Sequence, residues 1–227
     1  LPLNPSLEPA AWFRQLTRQL KKPKPGWAAQ SILLPEPRPG NLPFSLAESH
    51  CRKAGVLILL YPKNNRMHLL FTRRTADVLH HRGEISFPGG AREDNEDLIQ
   101  AAVRETQEEL TISPRDYRIL GSLTPLYIPP SRFCIYPAAA GASIRPDFTP
   151  EPREVEEVIE IPLAHLLDDA NRRLEKWTIR GEPRRIPFYK FGENKIWGAT
   201  AMVLAEFIAI VKKIKGESAI LFNDSEK

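Results

Sequence analysis

The sequence predicts an α/β (α+β) fold, and three stretches carry that prediction. Ala54–Tyr61 (AGVLILLY) is a short continuous apolar run, the pattern of a strand covered on both faces. The stretch Phe87–Ile112 reads as a glycine turn feeding a two-faced helix: at roughly 100° per residue, Ile99, Val103, Thr106 and Leu110 form one stripe, apolar except for the threonine, and Glu105 and Glu109 lie around the other side. Residues 200–214 repeat the helical spacing through Val203, Leu204, Phe207, Ile210 and Val211, with Lys212 and Lys213 at the end where the helix dipole favours cations.

The remaining elements follow in chain order. A first helix starts near Ser6 or Glu8 and carries Leu7, Trp12, Leu16 and Leu20 toward a partner surface, until KKPKPG stops it. Residues 1–50 are rich in proline and serine and read as an extension packed on a main domain of residues 51–227. The strand at Ala54–Tyr61 turns at Pro62–Asn65 and returns as Met67–Thr72, a hairpin. The cations Arg73, Arg74, His80, His81 and Arg82 lead through Gly83 into Glu84–Phe87, and Pro88-Gly89-Gly90 turns the chain into the two-faced helix.

Beyond that helix, Tyr117–Leu126 and Arg132–Ala142 read as strands joined by the loop 127–131. Arg145–Arg153 is a proline-rich loop. Glu154–Leu163 alternates as a strand, and its proline starts a short helix over Leu163–Asp168 in which His165 sits among leucines. Arg173–Arg180 and Arg184–Phe191 flank Gly181-Glu182-Pro183 as a hairpin. In the tail, Ala219–Phe222 is a candidate to dock on the domain or to pair across a homodimer.

Composition narrows the partners. A net charge of +4 and a pI near 9.1 are compatible with an anionic ligand, but no long basic run with interleaved aromatics points to nucleic acid. The longest apolar run, Ala201–Val211, has Glu206 inside it and is too short to span a bilayer. Cys51 and Cys134 show no metal-ligand spacing and read as reduced packing residues. With no leader pattern in LPLNPSLEPAAWF, the expected location is cytoplasmic.

The chemistry concentrates on the two-faced helix. Glu105, Glu108 and Glu109 are like charges on neighbouring positions and repel unless something compensates. A hard divalent cation, Mg²⁺ or Mn²⁺, takes oxygen ligands from few carboxylates and leaves positions for water or phosphate, and glycines at 89 and 90 let backbone approach such an ion. The competing reading is a solvated acidic face.

Spacing separates the two. Gly90, five residues, Glu96, seven residues, Arg104-Glu105, two residues, Glu108-Glu109 and then Ile112 resembles the Nudix box of diphosphate hydrolases. Thr106 stands where that pattern has an aliphatic residue, and Thr111 where it has glycine. The Thr106 hydroxyl is expected to bond the carbonyl one turn back. Without glycine at 111, the helix is expected to end differently or to run on slightly. Upstream, LLFTRRTADVLHHRGEISFPGG is similar to the extended motif of the coenzyme A diphosphatase subfamily, from which Phe71, Thr75 and Leu79 depart. Ile196–Thr200 is similar to a sequence of that subfamily that precedes its last helix.

The resemblance implies a Nudix fold, a mixed β-sheet sandwiched between α-helices. It implies Glu105 and Glu109 as primary metal ligands, Glu108 as a further ligand or water bridge, and a carbonyl of Gly89 or Gly90 completing the site. Arg104 would orient a carboxylate and Glu96 would hold the loop or helix start. Arg73, Arg74, His81, Arg82 and Gly90 are candidates to hold substrate phosphate, and Tyr127 to stack on a base. The acceptor of water's proton is open between Glu108 and a late glutamate, Glu154, Glu156 or Glu157. The implied substrate is a small molecule with a diphosphate linkage: coenzyme A, or alternatively ADP-ribose or a nucleotide sugar. A non-catalytic nucleotide sensor is the reading from another class.

Overall fold

The computed structural model describes residues 9–37, 48–75, 83–179 and 181–217. In order these form α1 (Pro9–Leu20), α2 (Trp27–Gln30), β1 (Arg52–Lys63), β2 (Arg66–Arg74), β3 (Ile85–Ser86), β4 (Gly89–Ala91) and α3 (Leu98–Leu110). They continue as β5 (Arg118–Ser122), β6 (Leu126–Ile128), β7 (Phe133–Gly141), β8 (Val155–Pro162) and α4 (Leu163–Leu167). The chain closes with β9 (Arg172–Ile179), β10 (Glu182–Phe191), β11 (Asn194–Ile196) and α5 (Gly198–Glu217). The expectations placed on Leu7, His80 and Ala219–Phe222 lie outside the described residues.

Among the described residues, eight strands make one mixed sheet, in the order β3-β2-β1-β7-β5, with β4 also on β1, β6 on β7 and β8 on β2. β1 runs parallel to β7 and antiparallel to β2. Its apolar run is continuous because both faces are covered. Ile58 and Leu60 join Trp12, Phe13 and Leu16 of α1 and Leu204 and Phe207 of α5. Leu57, Leu59 and Tyr61 face the other way, onto Ala102 and Leu110 of α3. All five of these strand residues are fully buried, each worth about 1.5–3 kcal/mol of transfer free energy. The sheet is thus sandwiched between helices, as expected.

Local chemistry sets the element ends. Asn64 and Asn65 both take positive φ, 50° and 57°, so β1 runs on to Lys63 and a two-residue turn replaces the expected four-residue one. The strand expected over 117–126 is split. Pro125 has no N–H for a ladder, and at Thr124 the backbone N–H (3.1 Å) and the hydroxyl (2.6 Å) both donate to the buried carboxylate of Glu206. That carboxylate also accepts from Gly26 N–H and Gln30 Nε2, which joins α5 to the segment around α2. The hairpin of β9 and β10 takes β11 to form a separate three-stranded sheet, which spacing had not distinguished from the main one. His165 is satisfied by the Lys190 carbonyl at 2.7 Å.

The reading of two separate reduced cysteines is overturned: Cys51 and Cys134 are joined as a disulfide across 83 residues. The physical reason is the parallel register of β1 on β7, which pairs Lys53 with Cys134 and brings Cys51 beside it, with Cα atoms 5.7 Å apart.

Candidate active site

α3 begins with a capping box. The Asp97 carboxylate accepts from the N–H groups of Ile99 and Gln100, and the Gln100 side chain accepts from Asp97 N–H, closing orphan donors that would otherwise cost about 1 kcal/mol. The helix start lies tight on β1: a Cβ on Gly55 would meet the Leu98 carbonyl at 2.1 Å. This close packing sets the height of the helix above the sheet. Across the same rung, where Gly55 pairs with Gly90, a Cβ on Gly90 would fall 2.2 Å from the Glu105 carboxylate. A side chain at 90 would have to displace the Glu105 carboxylate from the position it holds.

The Thr106 hydroxyl donates to the Ala102 carbonyl at 2.7 Å, so a polar residue on the apolar stripe leaves nothing unpaired. Thr111 adopts the left-handed conformation of the missing glycine, φ 61°, and ends the helix after Leu110. The carbonyls of Glu109 and Leu110 then accept from the N–H groups of Glu151 (2.8 Å) and Thr149 (2.9 Å). The helix end is thereby fixed to the segment that leads into β8. The Thr75 N–H, at the end of β2, donates to the carbonyl of Glu154 and the Thr75 hydroxyl to that of Arg153.

These contacts bring the carboxylates of Glu105, Glu109 and Glu154 within 4.8 Å of one another. Glu154 is half-buried, whereas Glu156 is exposed and Glu157 is exposed and bonded to Arg73 Nε at 3.1 Å. Glu108 is not part of the convergence. It is exposed and pairs with Arg104 Nη1 at 2.8 Å.

Glu109 is 2 % exposed, and its Oε2 has no hydrogen-bond partner. Arg74 Nη1 stands 3.7 Å from Oε1. Burial, followed by the neighbouring charges of Glu105 and Glu154, pushes the carboxyl up to about 8 against the opposing pull of Arg74 and a hydrogen bond from the Gly89 backbone. Burial also raises Glu105, opposed by Arg104. Three carboxylates, one of them buried with an orphan oxygen, form a donor set suited to a hard divalent cation.

Arg104 organises one flank. It grips Glu96 with two parallel bonds (Nε to Oε2, 3.1 Å; Nη2 to Oε1, 2.9 Å) and also reaches Glu105 and the Ala91 carbonyl. Its bonds to Glu96, outweighing the effect of burial, raise the guanidinium above its ordinary range. Glu96 in turn accepts Glu93 N–H, and the Arg104 bond holds its carboxyl below the usual range. A fork-shaped guanidinium on a planar carboxylate fixes the direction of both partners.

The expected substrate contacts divide. Arg73 is engaged by Glu157, the Gly83 carbonyl and Asn194 Oδ1, and Arg74 faces Glu109. His81 and Arg82 lie outside the described residues. Tyr127 is half-buried on β6 and, alternating with Leu126 and Ile128 of the α5-side core, is directed to the α3 side of the sheet. Glu154 and Thr75 escaped selection by sequence because only the pairing of β2 with β8 brings them to the helix. No helix among the described residues is long and apolar enough to cross a membrane.

The chain is 35% identical over 159 residues to the human mitochondrial coenzyme A diphosphatase NUDT8, covering 68% of this chain and 66% of that protein. It is 33% identical over 168 residues to the chloroplastic Nudix hydrolase 22 of Arabidopsis thaliana, covering 70% of this chain and 55% of that one. The match thus spans less than two thirds of the length of either relative. A solved structure similar to it is the Nudix hydrolase RenU of M. Smegmatis, with a TM-score of 0.47 and 16% identity over 76% of this chain and 89% of that one. Residues 52–180, more than half of the chain, match the NUDIX domain, and the chain therefore belongs to the Nudix family.

Proposed function

We propose that this chain is a divalent-cation-dependent diphosphatase whose substrate is coenzyme A, cleaved to 4′-phosphopantetheine and adenosine 3′,5′-bisphosphate. The observation that carries the reaction class is the convergence of Glu105, Glu109 and Glu154 around the unpartnered Glu109 Oε2. The choice of substrate draws support from the upstream sequence 69–90 and from the relative named coenzyme A diphosphatase.

Glu105 and Glu109 would hold Mg²⁺ or Mn²⁺, with the backbone at Gly89 and Gly90 alongside. When bound, such an ion neutralises a diphosphate and lowers the pKa of water. Glu154 accepts water's proton, because it reaches the convergence from a separate segment while Glu108 is occupied by Arg104. Arg104 orients Glu105, and Glu96 fixes Arg104. Arg74 balances the carboxylates before the substrate enters and turns to its phosphates afterwards.

Incubation of the purified protein with coenzyme A and Mg²⁺, followed by mass spectrometry, is expected to yield both products, and none from the Glu109→Gln variant. Cleavage of ADP-ribose or a nucleotide sugar with coenzyme A untouched would sink the substrate. Nucleotide binding without turnover of any diphosphate would favour a sensor.

A further inference from the structure

A pocket of about 370 Å³ opens beside the disulfide, lined by Cys51, Arg52, Lys53, Arg92 and Glu48. It carries three cations against one carboxylate, and that carboxylate accepts a hydrogen bond from the Tyr136 hydroxyl at 2.8 Å. Arg52 packs its guanidinium over the Phe133 ring at 4.7 Å, leaving its charge otherwise unopposed by a carboxylate among the described residues. The two sulfurs differ in access: Cys51 is half-buried at the pocket, whereas Cys134 is fully buried.

We propose that this pocket is a thiol–disulfide exchange site for small anionic thiols, with Cys51 as the sulfur attacked. The incoming thiolate forms a bond to Cys51 Sγ as the Cys51–Cys134 bond breaks. Cys134 leaves with the electron pair and takes up a proton. The incoming sulfur is oxidised into the mixed disulfide and Cys134 is reduced, so no further oxidant is required. The surrounding cations raise the local concentration of an anionic thiol and favour its ionised form. Access dictates the regiochemistry, since attack on Cys134 requires opening the core around β7.

The site lies near the carboxylates along the chain. Arg92 donates its N–H to the Lys53 carbonyl, and Gly90, two residues earlier, is the residue against which Glu105 rests. The choice of a phosphorylated thiol as probe rests on the coenzyme A reading, because both that substrate and one of its products are anionic thiols. The exchange itself does not rest on it.

The test compares 4′-phosphopantetheine with pantetheine, which share a thiol and differ by a remote phosphate. Protein purified without reductant is treated with each, and mixed disulfides are followed by intact mass and non-reducing peptide mapping. At low ionic strength the phosphorylated thiol is expected to react about 3- to 10-fold faster, with the adduct on Cys51. Salt and the combined Arg52→Gln, Lys53→Gln, Arg92→Gln variant are expected to erase the difference, slowing the phosphorylated thiol more than pantetheine. Equal rates for the two thiols, an adduct on Cys134, or no Cys51–Cys134 linked peptide in the untreated protein would each overturn the proposal. Hydrolysis is assayed separately with fresh reductant, so loss of one result leaves the other standing.

Discussion

The Thr111 hydroxyl donates to the Thr149 carbonyl at 3.0 Å, which ties the left-handed end of α3 to the segment that delivers Glu154. A β-branched residue at φ 61° costs about 1–2 kcal/mol, and the hydroxyl bond returns about 1 kcal/mol. Thr111→Gly removes both terms, so its melting temperature is expected to lie within a few degrees of the parent. Its kcat is expected to fall about 3- to 10-fold with KM little changed, since a misplacement of about 1 Å can cost about 100-fold and the remaining backbone bonds to Thr149 and Glu151 limit the shift to less than that. Thr111→Asn, which tolerates the conformation and keeps a polar side chain, should lose less. Steady-state kinetics beside thermal melts check this; equal kcat in all three proteins would show that the tie does not reach Glu154.

Glu109 gives the sharpest pH dependence. Its folded carboxyl is raised to about 8 in the metal-free protein, above the unfolded value of about 4.3, so between those values the folded state holds the extra proton. Stability in EDTA is therefore expected to fall as pH rises through that interval. Cation binding must expel the proton. The affinity for Mg²⁺ is accordingly expected to rise by up to about tenfold per pH unit below 8 and to level off above it. Titration calorimetry at pH 7 in two buffers of different ionisation enthalpy should show close to one proton released. Glu109→Gln should release none and should lose cation-dependent turnover by at least about 100-fold.

Much of this arrangement is legible in the sequence because it is local. The helix face of Glu105 and Glu109 and the back-bonding of Thr106 depend only on 3.6-residue spacing, and the two-sided burial of β1 depends on an unbroken apolar run. The Asp97–Gln100 capping box was equally local and went unread. Glu154 was one of three late glutamates, and nothing in its own neighbourhood marks it. What selects it is the pairing of Arg74 with Val155 across β2 and β8. The disulfide was hidden for the same reason, since it depends on a parallel register between strands about 80 residues apart. Periodicity reports which face a residue takes, whereas register reports its neighbour.

Glu160 titrates in the opposite sense to Glu109. Burial pushes its carboxyl up, but two bonds from Arg145, one from Lys63 and one from the Tyr61 hydroxyl outweigh burial and hold it down at about 2. A depressed carboxyl contributes stability above its unfolded value of about 4.3, lost as pH falls toward the folded value. With half-exposed cationic partners, the contribution is on the order of 2 kcal/mol. Glu160→Gln is expected to lower the urea midpoint at pH 7 and to flatten its decline between pH 5 and 3. Parallel declines in the two proteins would assign the acid sensitivity elsewhere.

Glu206 is fully buried and holds four donors from two segments: Gly26 N–H and Gln30 Nε2 around α2, and the N–H and hydroxyl of Thr124. Removing such an acceptor leaves several buried donors unpaired, so Glu206→Ala is expected to cost about 3–5 kcal/mol. Glu206→Gln keeps one acceptor oxygen but turns an NH₂ group toward donors, and should lie between the parent and the alanine variant. The loss should be regional. Amide exchange is expected to accelerate at residues 27–33, where the Glu206 bonds join α2 to α5, more than in the β1–β7 pairing that forms the centre of the sheet. Hydrogen-exchange mass spectrometry on the glutamine variant distinguishes the two, since uniform acceleration would mean that Glu206 supports the whole fold and does not specifically clamp the N-terminal segment.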